Sequence, residues 1–280
     1  MNSVREKAYG KINLYLDVVG KRDDGYHNIL SVMHTVNIFD SVIVSKSEGG
    51  ISLTCSDKGL SCGEDNLCVK AAKAFFNAVK ENGGCVIHLE KTLPMGAGMG
   101  GGSSDAAAVL RALNVLYEKK LSDDELCSIG AKIGADVPFC VVGGSKKAEG
   151  IGEILTDLPL LPECFILVCE GGDKISTPEA YRKIDNTPAS QTGDFQGMLD
   201  ALNDRNINKL CSKLYNRFED TYTECEAVKE LLVSCGAIGA LMTGSGSAVF
   251  GMFDDQNVAY CAERIIKEKG INCYVTKPIG

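Results

Sequence analysis

No run of about 18 or more apolar residues occurs in the 280-residue chain, so no membrane-spanning helix is expected. The opening residues, Met1 to Gly10, carry charge and no apolar h-region, so no secretory signal is read there. A cytoplasmic protein is the expectation. A basic excess is missing too. Lys and Arg number 29 against 37 Asp and Glu, a formal net charge of −8, whereas a general nucleic-acid binder carries a basic stripe. Neither nucleic acid nor membrane is expected as a partner, and no protein partner is implied. Phosphorylated small molecules remain open, because backbone N–H groups hold phosphate without basic side chains. Thirteen cysteines are present, but no Cys-x-x-Cys pair and no Cys/His cluster at zinc spacing. Several stand in apolar runs, as Cys140 and Cys169 do, and are expected to be reduced, small core hydrophobes.

What is present describes a globular protein. Apolar residues make up 45% and charged residues 24%, enough for a sizeable core in one large domain or two ordinary ones. Residues Lys11–Val19 alternate, with Ile12, Leu14, Leu16 and Val18 on one face, as in a half-buried strand. A turn at Asp23-Asp24-Gly25 precedes a second strand, Ile29–Ile38. Short strands are read at Ser41–Ser45, Ile51–Cys55 and Val86–Leu89, with a helix over Asn66–Lys80. A helix follows over Ala106–Tyr117, then one capped by Ser122 and running to about Ile133, then a strand at Val137–Val142. The chain changes character near Pro159 and Pro162, which divides it into 1–158 and 159–280. The second part reads as strand Phe165–Val168, several helices, strands Ile238–Met242 and Ala248–Phe253, helix Asn257–Lys269 and strand Ile271–Val275. The fold class is α+β.

Five of the seven residues from Gly96 to Gly102 are glycine, and Ser103-Ser104 leads into a strong helix. Without Cβ atoms such a loop approaches a ligand closely, and a helix N-terminus favours anions. A phosphate cradle is the reading; a flexible connector needs neither the glycines nor the helix. No Gly-Lys-Ser/Thr occurs, so the loop is not a Walker A motif. Gly96, Gly98 and Gly101 satisfy Gly-x-Gly-x-x-Gly, but the following helix leads into Leu121–Glu125, another helix start. A dinucleotide fold requires a strand there.

The segment Pro94-x-x-x-Gly98-x-Gly100-Gly101-Gly102-Ser103-Ser104-Asp105-Ala106-Ala107 resembles the ATP-binding motif of the GHMP kinases. Lys11-Ile12-Asn13-Leu14 and Thr243-Gly244-Ser245-Gly246-Ser247 fit the same family in the same order, across nearly the whole chain. Gly20-Lys21-Arg22-Asp23-Asp24-Gly25-Tyr26-His27, Gly134-Ala135-Asp136-Val137-Pro138-Phe139 and Glu149–Leu155 are similar to one branch of it. That branch phosphorylates the 2-hydroxyl of 4-diphosphocytidyl-2-C-methyl-D-erythritol, a step of non-mevalonate isoprenoid synthesis. Gly10 stands where the family has alanine, Met99 where leucine is common, and Lys146-Lys147 is more charged than the family pattern.

The resemblance implies a two-domain fold, the first like domain 2 of ribosomal protein S5 and the second ferredoxin-like. It implies ATP and Mg²⁺, with Asp136 as base and Lys11 as the partner keeping it ionised. Alone, an aspartate in a turn and a lysine on a strand are ordinary structural residues. Asn13 would help hold the substrate. Tyr26 would stack on cytosine, His27 would bond its edge and Tyr181 would cover its other face; the alternative for the first two is an exposed hairpin. Pro94, Gly96, Gly98, Gly100, Gly101, Gly102, Ser103 and Ser104 would bind the ATP phosphates. Asn66 would contact adenine or cap a helix. Gly244 and Gly246 would let backbone approach the substrate, or form a tight hairpin. No carboxylate ligand for Mg²⁺ is identified; Ser104 is the candidate hydroxyl ligand. A catalytically silent sensor with the same fold is the competing class, and the pair Lys11 and Asp136 counts against it.

Overall fold

The computed structural model describes residues 2–172 and 176–280. The elements in order are β1 Ser3–Lys21, β2 His27–Ser47, β3 Ile51–Cys55, α1 Leu67–Val79, β4 Gly84–Glu90, α2 Gly101–Leu116, α3 Asp123–Gly130 and α4 Val137–Val142. There follow β5 Ser145–Glu149, β6 Ile154–Asp157, β7 Phe165–Cys169, α5 Thr177–Ile184, α6 Phe195–Asn203, α7 Ile207–Cys211 and β8 Tyr215–Asn216. The chain ends with α8 Glu226–Ser234, β9 Gly239–Met242, β10 Val249–Phe253, α9 Gln256–Glu268 and β11 Cys273–Thr276. The α+β class expected from the pattern is the class observed.

By contacts the chain divides into two units, each assembled from separate stretches. The first holds Met1–Gly10, Ile38–Met95 and Gly100–Gly143; the second holds Lys11–Asn37, Gly96–Met99 and Gly144–Gly280.

In the first unit β4 pairs antiparallel with the end of β2 and parallel with β3. Helix α2 packs on α1 and α4. Its run of Ala106, Ala107, Ala108, Val109, Leu110, Ala112 and Leu113 is fully buried beside Phe75, Ile87 and Leu89. Alanines on this helix keep side chains short, which lets the neighbouring helices approach closely. Ser122 caps α3 in a full capping box with Glu125.

In the second unit a four-stranded antiparallel sheet runs β11-β7-β10-β9. Strands β7 and β10 are buried along their whole length, which is why they read as continuous apolar runs. Gly251 lets α8 close on β10, since a Cβ there would stand 3.0 Å from Leu232. Strand β8 pairs parallel with β1 at Tyr15 and Leu16, and β5 pairs with β2 and β6.

Three expectations need correction. Val137–Val142 is a helix, not a strand. Pro138 stands in its first turn, where the fixed φ of proline favours helix and its missing N–H costs nothing; a six-residue apolar run cannot reveal its own period. Helix α2 begins at Gly101, so the last glycines of the motif are already helical. Finally, β1 is not half-buried in its middle. Gly10–Leu16 are all buried, and Lys11 is 3% and Asn13 1% exposed.

Candidate active site

The residues singled out from the sequence fall into two sets, one in each unit. In the second unit Asn13 is the hub. Its Oδ1 accepts from Lys11 Nζ at 2.6 Å and from the Gly244 N–H at 3.0 Å. Thr243 Oγ1 lies 3.2 Å from the same oxygen and accepts from the Asn13 backbone N–H at 3.0 Å. Asn13 Nδ2 donates to Ser31 Oγ, which donates to the Tyr15 carbonyl. This fixes the amide's orientation: oxygen toward the lysine, nitrogen toward the serine. A buried ammonium requires such acceptors, and Asn13 supplies one without adding charge.

Two loops meet at this hub. The Lys11 N–H donates to Met99 O, and Ala248 N–H to Ala97 O. Gly98 and Gly244 have φ of +78° and +59°, and a Cβ on Gly98 would lie 2.1 Å from Thr243 O. These two glycines are required by the packing of backbone on backbone. Asn216, unremarked in the sequence, donates from Nδ2 to the carbonyls of Met242 and Gly244 and holds the second loop from below. Gly246 has φ +95° and lies against Met242.

The other residues of this set lie at the start of β2. A hairpin closes where the Arg22 N–H donates to Tyr26 O and the Gly25 N–H to Arg22 O. It leaves Tyr26 60% exposed and His27 buried at 8%. The His27 ring stacks on Tyr181, with centroids 4.8 Å apart and planes at 19°. Its Nε2 is 2.7 Å from Asp185 Oδ1, a residue that no motif marked. Tyr181 was assigned to the far face of a bound base, and within the unit it lies on His27.

In the first unit α2 starts with Gly100 at its N-cap, in the left-handed region at φ +71°, and no side chain caps it. Gly101 and Gly102 have helical φ, and a Cβ on either would meet only ordinary contacts at 3.6 and 3.5 Å. Nothing inside the protein demands glycine at these two positions. Ser104 is buried, and its hydroxyl donates to the Tyr9 carbonyl at 2.6 Å. Asn66 caps α1: its Oδ1 accepts from Cys68 N–H, and its Nδ2 donates to Ser61 O.

Beside α2 lies a cluster that the sequence did not announce. Lys91 pairs with Asp40 and, at 2.6 Å, with Asp105. Asp40 Oδ1 also accepts from the N–H groups of Thr92 and Leu93, fixing the turn before Pro94. A Cβ on Gly101 would stand 3.6 Å from Lys91 Nζ, so a buried cation adjoins the uncapped helix start. Burial, offset by Lys91 and reinforced by Asp40, pushes the Asp105 carboxyl up to about 7. The signal for this trio was available only in part: Asp105 closes the glycine motif, but Asp40 is 51 residues from Lys91.

Asp136 is the N-cap residue of α4 and makes no side-chain capping bond. Among the described residues no group of three or more His, Cys, Asp or Glu could hold a metal ion.

The chain resembles known proteins over nearly its whole length. The GHMP kinases N terminal domain matches residues 66–144, and the GHMP kinases C terminal domain matches residues 187–272. A 4-diphosphocytidyl-2-C-methyl-D-erythritol kinase of Lachnospira eligens is 39% identical over 275 residues, covering 96% of each chain. The protein of the same name from Desulfitobacterium hafniense is 40% identical over 280 residues, 98% of this chain and 96% of the relative. A crystal structure of 4-(cytidine 5'-diphospho)-2C-methyl-D-erythritol kinase superposes with a TM-score of 0.82 at 31% identity, over 99% of this chain and 100% of that one. A homoserine kinase from Cytophaga hutchinsonii, at 18% identity and a TM-score of 0.75, shares the fold. The chain belongs to the GHMP kinase family.

Proposed function

We propose that the protein transfers the γ-phosphoryl group of ATP to the 2-hydroxyl of 4-diphosphocytidyl-2-C-methyl-D-erythritol, the step by which its named relatives serve isoprenoid precursor synthesis. The observation that carries the phosphoryl-transfer reading is the start of α2. Gly101 and Gly102 sit at an uncapped helix N-terminus where the fold itself has no need of glycine. A ligand that must approach this backbone explains them, and unpaired N–H groups with the helix dipole select an anion. Gly96, Gly98, Gly100, Ser103 and Pro94 shape the same stretch for the ATP phosphates, and Asn66 is assigned to the adenine side.

The cytidine reading rests on the named relatives and on the hairpin residues. Tyr26 offers an exposed ring for stacking, and His27 is assigned to bond the edge of the base. Tyr181 completes the aromatic set. Stacking plus one edge contact selects a base without a basic patch.

Phosphoryl transfer requires in-line positioning and a group that accepts the hydroxyl proton. Asp136 is assigned that role, and Lys11 the role of its orienting partner. Asn13 acts chiefly through Lys11, because its Oδ1 is committed to Lys11 and the Thr243–Gly244 loop, leaving one N–H of its amide for substrate. Mg²⁺ is assigned to arrive on the ATP phosphates rather than at a protein-built centre. The Ser104 hydroxyl, engaged with the Tyr9 carbonyl, then serves the helix start more than the metal.

The test is ADP release from ATP with the cytidine diphosphate substrate, homoserine and mevalonate in parallel. Turnover with the first alone is expected. Asp136→Asn should lower kcat by at least about a hundredfold with nucleotide binding retained; full activity in that variant refutes the assignment of the base.

A further inference from the structure

Cys169 ends β7 and Cys273 opens β11, and the two stand directly opposite each other in the antiparallel pair. One step along, the Glu170 N–H donates to Asn272 O at 2.9 Å. Backbone-bonded and unbonded pairs alternate along such a ladder, so Cys169 and Cys273 form an unbonded pair. In such a pair the Cα atoms are about 4.5 Å apart, the closer of the two spacings, and both side chains lie on one face. A disulfide spans Cα separations of about 4.4–6.8 Å. The strand register therefore holds these two thiols where a bond between them needs little movement of the backbone.

Both side chains are buried, and the Cys273 thiol donates to the Glu263 carbonyl of α9 at 3.5 Å. Contact with Cys273, reinforced by burial, raises the Cys169 thiol well above its usual range. The same contact lowers the Cys273 thiol, against its burial and with help from Lys267. Cys273 is thus the member that ionises. Among the described residues the one strand partner of β11 is β7, at the edge of the sheet. An edge near the chain end opens locally before the fold does, which gives a small oxidant access. Beyond β11 the chain adds to β2, where the Asn37 N–H donates to Lys277 O and the Ile279 N–H to Thr35 O.

We propose that Cys169 and Cys273 are an oxidative modification site: hydrogen peroxide joins them in a cross-strand disulfide that fastens β11 to β7 and that thiol reductants undo. The Cys273 thiolate attacks one peroxide oxygen and becomes a sulfenic acid, while the other oxygen leaves as hydroxide and takes up a proton to form water. The Cys169 sulfur then attacks the Cys273 sulfur and displaces the second hydroxide, which leaves as water with the Cys169 thiol proton. Two thiols lose two electrons and two protons, and one peroxide becomes two waters. The stability gained comes from the unfolded chain, in which the stretch from Cys169 to Cys273 is closed into a loop. Cys235, half-buried at the end of α8, is the competing partner, since its charge also acts on Cys169.

The experiment treats the whole chain with hydrogen peroxide, blocks the remaining thiols in denaturant and maps the peptides by mass spectrometry. Oxidation of the exposed Cys62 and Cys261 shows that the oxidant was sufficient. A linked Cys169–Cys273 peptide pair, lighter by two hydrogens, is expected, and dithiothreitol should release it. The oxidised protein should melt several degrees above the reduced one. Cys273→Ser and Cys273→Ala should each lose both the link and the rise, the alanine variant guarding against harm from a buried hydroxyl. Cys235→Ser should keep both. Cys169 and Cys273 still open to alkylation, in wild type whose exposed cysteines are oxidised, would overturn the proposal, and so would Cys169 joined to Cys235. A Cys169–Cys273 link without a rise in Tm, or a rise that survives in both Cys273 variants, would overturn it as well, because the bond would then fasten nothing.

Discussion

Two buried groups make the stability of this chain depend on pH in opposite senses. His34 is fully buried in β2, and neither ring nitrogen has a hydrogen-bond partner among the described residues. Burial pushes its pKa down from 6.5 to about 4. A depressed group contributes stability above its unfolded pKa and loses it as pH falls, here between about 6.5 and 4. Asp105 goes the other way, from 3.8 up to about 7. Its contribution is complete below about 3.8 and lost as pH rises through 7. Single substitutions should separate the two. His34→Leu should raise Tm by a few degrees more at pH 5 than at pH 8, and Asp105→Asn by a few degrees more at pH 8 than at pH 5. Thermal unfolding of the three proteins at both pH values checks this; shifts that do not depend on pH would remove the titration argument.

At the scale of elements, the glycines of the nucleotide motif divide by purpose. Gly98 is there for the protein: φ of +78° and a Cβ only 2.1 Å from Thr243 O leave no alternative. Gly98→Ala should cost about 3 kcal/mol or more, since left-handed backbone alone costs about 1–2 kcal/mol. Gly25, at φ +85° with nothing within 4 Å, is the control and should lose only the backbone part. Gly102 is assigned to the ligand, since a Cβ there would meet only an ordinary contact. Alanine fits the first turn of α2, so Gly102→Ala should stabilise the fold by about 0.5–1 kcal/mol while raising the KM for ATP about tenfold. Urea midpoints and ATP titrations together test the division. A Gly102→Ala protein that is both more stable and unimpaired would show that the glycine serves no ligand. The same reasoning explains the misreading of Val137–Val142. Its apolar residues fit strand or helix equally, and Pro138, which would stop a helix from continuing, here starts one.

For the whole molecule, the charge balance and the metal expectation can be tested together. In a chain of net charge −8, the proposed binding of two phosphorylated molecules draws on backbone N–H groups and on few cations. With no clustered metal ligands among the described residues, EDTA should leave the Tm of the nucleotide-free protein unchanged. Mg²⁺ should raise it only together with ATP, by mass action on the complex. A Mg²⁺-dependent rise without nucleotide would reveal a protein-built site. No helix among the described residues is long and apolar enough to cross a membrane. None of the thirteen cysteines, all among the described residues, forms a disulfide; six are buried and two, Cys62 and Cys261, are exposed.

The sequence alone determined what short-range chemistry determines. The glycine motif, the capping box at Ser122, the turn at Asp23-Asp24-Gly25 and the apolar runs of β7 and β10 are local statements, legible because each concerns neighbours a few residues apart. Family membership was legible for the same reason, since its motifs are contiguous. Tertiary structure decided which polar residues meet. Asn13 and Gly244 are 231 residues apart, His27 and Asp185 158, and Asp40 and Lys91 51; no period or spacing links such pairs. It also decided burial. Lys11 and Asn13 alternate with apolar neighbours as exposed residues do, yet the fold buries both, with Ser31 and the loops at Gly98 and Thr243 packed against this strand. A polar side chain inside a protein is defined by the partner that satisfies it, and that partner is supplied by the fold.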